Sequence, residues 1–193
     1  MNRDVRNSDY NMASLKKIKF VIHPAGADRI HYVNEDDIKT VLGRLPAEIY
    51  SYLKEVHFND ESWGARIIGY INNDRRDISI CALPPRVSLS AILIKSGNPR
   101  DYGAIRAKQW PHLAVRRFLL YNTFLHELGH MQIILPKAKT NRRKFAGERK
   151  AEEFAKYWRK KLWSTPFDHP DPVHNPPTIE ELKFAENRGI KDF

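Results

Sequence analysis

The chain predicts an α+β fold, and three observations carry that expectation. Short stretches of alternating apolar and polar residues cluster between residues 15 and 83, in strand fashion. Two long segments, 110–135 and 144–163, then carry apolar residues at helical spacing. Strands in the first half and helices in the second do not alternate as a doubly wound fold requires. A small sheet, mixed or mostly antiparallel, should therefore pack against the first long helix, with the second helix beside it.

Residues 1–14 are polar and are expected to fray. Ile18–Ile22 alternates and stops at His23-Pro24, a short strand. Asn34 is placed to cap a helix whose first turn holds Glu35, Asp36 and Asp37, acids that suit the positive end of the helix dipole. Ile38, Val41, Leu42 and Leu45 continue it, and Pro46 starts a second helical piece to Leu53. Strands are expected at Val56–Phe58, Ala65–Ile71 and Asp77–Leu83. The last two read as a hairpin around Asn72-Asn73-Asp74. Val87–Ile94 reads as a further strand before a loop at 96–99. Trp110-Pro111 opens the first long helix, which ends at Pro136. A basic loop covers 137–143. Five prolines between 166 and 177 exclude helix and central strand there, and Thr178 with Glu181 forms the capping box of a last short helix. The organisation expected is a polar segment (1–14), one domain (15–165) and a Pro-rich tail with a helix (166–193).

The 193 residues are 41% hydrophobic, with 4 Trp, 8 Tyr and 9 Phe, which is enough to build a core and excludes wholesale disorder. A single cysteine, Cys81, excludes an internal disulfide and a Cys-rich metal site. No stretch has the length of a signal-peptide core or a membrane span, so a soluble, cytoplasmic protein without a membrane partner is expected. The net charge of +10 is uneven: Lys137 to Lys161 holds eleven Lys or Arg against three Glu. That run reads first as a solvated helix face and second as a nucleic-acid contact.

The most informative residues are His126-Glu127-Leu128-Gly129-His130. H-E-x-x-H sets two imidazoles one helical turn apart on one face, the geometry for two nitrogens on a zinc ion with a glutamate reaching the metal's water. Around them stand Phe118, Leu119, Leu120, Phe124, Leu125, Leu128, Met131, Ile133 and Ile134, so the three polar groups lie on a helix destined for the interior. Buried polar groups are costly without partners, and a metal would partner both rings. A catalytic ion needs a third protein ligand and leaves a place for water. Glu148, Glu152, Glu153, His169 and His174 are the candidates.

This arrangement resembles the gluzincin metallopeptidases, in which an H-E-x-x-H helix is followed by a second helix carrying E-x-x-x-D/E. In this sequence the second motif falls on Glu148-Arg149-Lys150-Ala151-Glu152, with seventeen residues between His130 and Glu148. The segment from Glu148 to Ala155 is also similar to the E-x-x-A-x-x-F-A stretch of the compact ImmA/IrrE-type and minigluzincin-like members. It departs from them at Lys150, at Glu152 and in the charged run from Lys156 to Trp163. The resemblance implies a zincin-like fold and a zinc-dependent endopeptidase acting on proteins or peptides. It implies His126, His130 and Glu148 as ligands of one zinc ion, Glu127 as general base and Glu152 as the carboxylate that orients a zinc histidine. It also implies a substrate-binding edge strand, here expected at Ile78, Ser79, Ile80, Cys81 and Ala82. Tyr157, His169 and His174 are candidate donors to the developing oxyanion. Two other readings compete. One is a DNA-associated protease of SprT type, with a histidine as third ligand. The other is a non-catalytic basic binding module on the same scaffold, its metal structural or absent.

Overall fold

The computed structural model describes residues 15–61, 67–72, 74–90, 97–105, 109–133, 141–165, 167 and 169–191, with backbone alone at 141–145 and 187–191. The expected first segment, residues 91–96 and most of the basic loop at 137–143 lie outside the described residues. Four strands form one mixed sheet in the order β1 (Lys19–Ile22), β2 (Glu55–Asn59), β4 (Asp77–Cys81), β3 (Gly69–Asn72). β1 and β2 are parallel, β2 and β4 are parallel, and β3 and β4 form the antiparallel pair expected as a hairpin. The parallel neighbours β1 and β2 need a long connection. It is supplied by α1 (Glu35–Gly43) and α2 (Ala47–Tyr50). The α1 N-terminus follows from its sequence: Asn34 and Asp37 form a reciprocal capping box.

Val56 pairs in register with Ile78 and Phe58 with Ile80, all four buried on the sheet face that meets the helices. Against that face lies one continuous helical rod. α3 (His112–Phe118) runs without a break into a π-helical turn (Leu119–Phe124) and then α4 (Leu125–Gln132). Every residue of the π turn is buried. Such wide turns recur at functional sites, and this one directly precedes the H-E-x-x-H segment. Gly69 lets β3 lie against the turn, because a Cβ there would sit 2.5 Å from Thr123 Cγ2. The 24-residue helix α5 (Asn141–Ser164) packs along α4, burying Ala151, Ala155, Trp158 and Leu162.

The Pro-rich segment is anchored in the core at two residues. Its Pro172–His174 turn buries Val173 and His174. The buried Arg117 donates to both carboxylate oxygens of Glu181 and to the Pro172 carbonyl, which ties α6 (Ile179–Lys191) to α3. Arg116 bridges Asp37 at 2.8 Å and Asp171 at 2.7 Å. The Thr178–Glu181 capping box forms as its sequence predicts.

Three expectations are corrected. Val87–Ser90 is not a strand. Val87 and Leu89 are buried in irregular chain, held where Val87 accepts the Trp110 N–H at 2.9 Å and Ser90 accepts the Trp110 indole at 3.1 Å. Residues 141–143 are helical, because α5 starts before Lys144. The third correction concerns the edge strand: β4 lies between β2 and β3, so Ile78–Cys81 is interior and buried on both faces, and Ala82 lies past its end. The edge beside α4 is β3. No described helix is long and apolar enough to cross a membrane.

Candidate metal centre

His126 and His130 are one turn apart on α4, half-buried, with ring centroids 4.7 Å apart and planes nearly perpendicular. α5 brings Glu148 to them. His126 Nε2 lies 3.1 Å from His130 Nε2 and 3.3 Å from Glu148 Oε2, and His130 Nε2 lies 3.5 Å from that same oxygen. Three donor atoms therefore form a nearly equilateral triangle. A tetrahedral ion with bonds of about 2.05 Å holds its ligand atoms about 3.3 Å apart, so the triangle has the size of one face of such a site. Among the described residues this is the only group of three His, Cys, Asp or Glu with ligand atoms so close together. Among the described residues no fourth donor of these types joins it.

The close approach of the two helices has a local cause. Gly129, between the ligand histidines, has no side chain, and a Cβ there would meet Ala151 Cα and the Ala151 carbonyl oxygen at 3.1 Å and Phe154 at 3.0 Å. Glycine and alanine at the crossing let the backbones touch. Glu148 and Glu152, one turn apart on α5, then face α4. Glu148 lies about two turns inside α5, so attraction to a helix N-terminus does not account for it.

Glu152 turns Oε2 toward Nδ1 of His126 at 3.6 Å, on the side of the ring away from Glu148. Its other oxygen, Oε1, is buried without a hydrogen-bond partner. Glu127 is 9% exposed, and burial pushes its pKa up to about 7, with the Glu148 charge adding to the rise and His126 opposing it. Burial acts to lower both imidazoles. For His126 the surrounding carboxylates of Glu152, Glu127 and Glu148 outweigh it and hold the pKa above the ordinary value. For His130, burial and the charge of His126 prevail over Glu148, and the pKa falls. The donors thus gather around a position where carboxylates favour positive charge.

The remaining sequence candidates are placed elsewhere. His174 is 2% exposed rather than solvated, with Nδ1 at 3.0 Å from the Tyr121 hydroxyl and Nε2 at 3.6 Å from Asp37. His169 packs on it and on Phe167. Among the described residues neither contacts His126 or His130, and neither joins the donor triangle. Tyr157, nine residues beyond Glu148, emerges about half a turn round α5 from it. Its ring is 57% exposed, against Trp158. Glu153 faces solvent, 3.7 Å from Arg149.

One polar feature escapes sequence reasoning. On the outer face of the sheet a pocket of about 360 Å³ is lined by His23, His57, Asn59, Tyr70, Asp77 and Ser79, among others. There His57 Nε2 contacts Glu55 at 3.0 Å and His57 Nδ1 contacts His23 Nε2 at 3.3 Å. His23 and His57 are 34 residues apart, with no spacing signal to join them. The parallel pairing of β1 with β2 is what brings them together. No family model, no curated protein and no solved structure matches this chain.

Proposed function

We propose that this protein is a zinc-dependent endopeptidase of zincin-like fold, with His126, His130 and Glu148 as the metal ligands and Glu127 as the general base. The observation that carries the reading is the donor triangle of 3.1, 3.3 and 3.5 Å, two imidazole nitrogens and one carboxylate oxygen, next to a buried carboxyl. Two nitrogens and an oxygen suit zinc, and three protein donors rather than four are the mark of a catalytic site. A bound zinc ion supplies Lewis acidity toward both water and a peptide carbonyl.

The chain's own residues do the rest. Glu127 takes the proton of the attacking water and delivers it to the leaving amine. Without the metal, burial raises its pKa to about 7, and a bound cation would favour the carboxylate form that a base needs. Glu152, with Oε2 3.6 Å from Nδ1, stands where it would orient the ring of His126 and leave Nε2 to ligate. An extended substrate adds to the outer edge of β3, Gly69–Asn72, as a further strand. This edge replaces the interior Ile78–Ala82 in that role.

Glu127→Gln tests the reading. The variant should keep its zinc and its fold and lose cleavage of an unfolded protein substrate by about two to four orders of magnitude. Cleavage at the wild-type rate would remove Glu127 as the base. Glu148→Ala should lose metal and activity together.

A further inference from the structure

We infer that the outward face of α5 binds single-stranded nucleic acid. The helix divides its residues sharply. Ala151, Ala155, Trp158 and Leu162 are in the core, and the one basic residue among them, Arg159, is buried over Tyr102 with its guanidinium on Asp101 at 3.1 Å. The other side presents Arg149, Lys150, Lys156, Tyr157, Lys160 and Lys161, all exposed, with one acid, Glu153, among them. At 3.6 residues per turn these six fall in a single stripe about 18 Å long, room for roughly five nucleotides at the 3.4 Å repeat of one strand.

The stripe holds charge that the fold does not use. Of its five cations, only Arg149 has a carboxylate, Glu153 at 3.7 Å. Among the described residues Lys150, Lys156, Lys160 and Lys161 make no ion pair. Lys156 and Lys160 are one turn apart, a like-charge spacing that destabilises a helix unless a counterion fills it. Several basic side chains elsewhere are held in ion pairs: Arg29 with Asp60, Lys39 with Glu35, Arg116 with Asp37 and Asp171, Arg117 with Glu181.

An exposed aromatic ring sits within this stripe. Tyr157 is 57% exposed, and Lys161 Nζ lies 5.8 Å from its centroid and 4.7 Å from that of Trp158. Cations along a track with an aromatic platform among them are what a single strand engages, phosphates on the charges and a base on the ring. A membrane surface is the poorer match, because the apolar side of α5 is consumed by the core and leaves only Tyr157 to insert. An acidic protein would use the cations and leave the ring idle. The inference does not rest on the peptidase reading, since no ligand of the candidate metal centre other than the neighbouring Glu148 lies on this helix.

The test is fluorescence anisotropy of a labelled oligothymidine of about 15 nucleotides, titrated with the full chain over a range of salt. Binding should weaken with a log–log slope of about −2 to −3, as expected for three or four neutralised phosphates. Lys156→Gln and Lys160→Gln should each reduce that slope by about 0.7. Tyr157→Ala should weaken binding about tenfold at unchanged slope. All three positions are exposed, so the fold should tolerate the changes. No binding at low salt, unchanged affinity in Tyr157→Ala, tighter binding of a duplex of the same length, or equal competition by polyglutamate would each overturn the inference.

Discussion

Gly129 and Ala151 form the contact on which the candidate centre is built: a Cβ on Gly129 would stand 3.1 Å from Ala151 Cα, so the two helix backbones touch between the donors they carry. Gly129→Ala must push α5 outward by a few tenths of an ångström or more. Overpacking of this kind costs about 1–3 kcal/mol of stability. The larger effect should fall on metal affinity, because Glu148 moves with α5 while the imidazoles stay on α4. A zinc titration should show at least a tenfold loss, as for disrupted ligand positioning. Unchanged affinity would mean that the crossing does not set the donor distances.

The buried carboxyl of Glu127 makes the stability of the metal-free protein depend on pH. Its folded-state pKa of about 7 lies above the unfolded value of 4.5. Below pH 4.5 both states hold the proton and there is no penalty. Between 4.5 and 7 the folded state holds the proton and the unfolded state has released it, so stability falls as pH rises through that window and levels off above it. The loss is up to roughly 3 kcal/mol. In the presence of a chelator, Glu127→Gln should therefore be more stable than wild type at pH 8 and close to it at pH 4. Denaturant melts at the two pH values measure the difference.

Arg117 and Glu181 predict that residues 166–191 cannot be removed. Arg117 is 1% exposed, and its carboxylate partner comes from α6. Truncation after Thr165, or Glu181→Ala alone, leaves a buried guanidinium without its counterion, which costs about 3–5 kcal/mol. Thermal melting should show the point variant strongly destabilised and the truncated chain unfolded or aggregated.

Cys81 is buried in β4, and burial pushes its thiol pKa up to about 12. The thiolate is the reactive form, so a thiol reagent at pH 8 should leave the native protein unmodified and label it fully in denaturant. Because the folded pKa exceeds the unfolded 9.0, this group's contribution is intact below pH 9 and is lost as pH rises toward 12.

Much of this was legible in the chain. The Asn34 cap, the Thr178–Glu181 capping box and the antiparallel pairing of the two strands around residues 72–77 are local patterns whose partners lie a few residues apart, and the structure contains each. The i, i+4 pair of histidines likewise needs only a helix. What was not legible depends on distant pairing. Strand order is set by which edges meet, and alternation in Ile78–Ala82 looks the same on an edge strand as on an interior one. The π turn at Leu119–Phe124 is buried on every side, Asn122 and Thr123 included, so no periodicity betrays the wider winding. His174 stands in a Pro-rich stretch that reads as surface chain. It is buried because Asp37 and Tyr121, more than 50 residues away, supply its polar contacts.

The most direct measurement is metal content after purification without added zinc, for wild type and for Glu148→Ala. The account predicts one zinc per wild-type chain, held through dialysis, and a large loss in the variant. Wild-type protein that retains no metal even after exposure to equimolar zinc would contradict it.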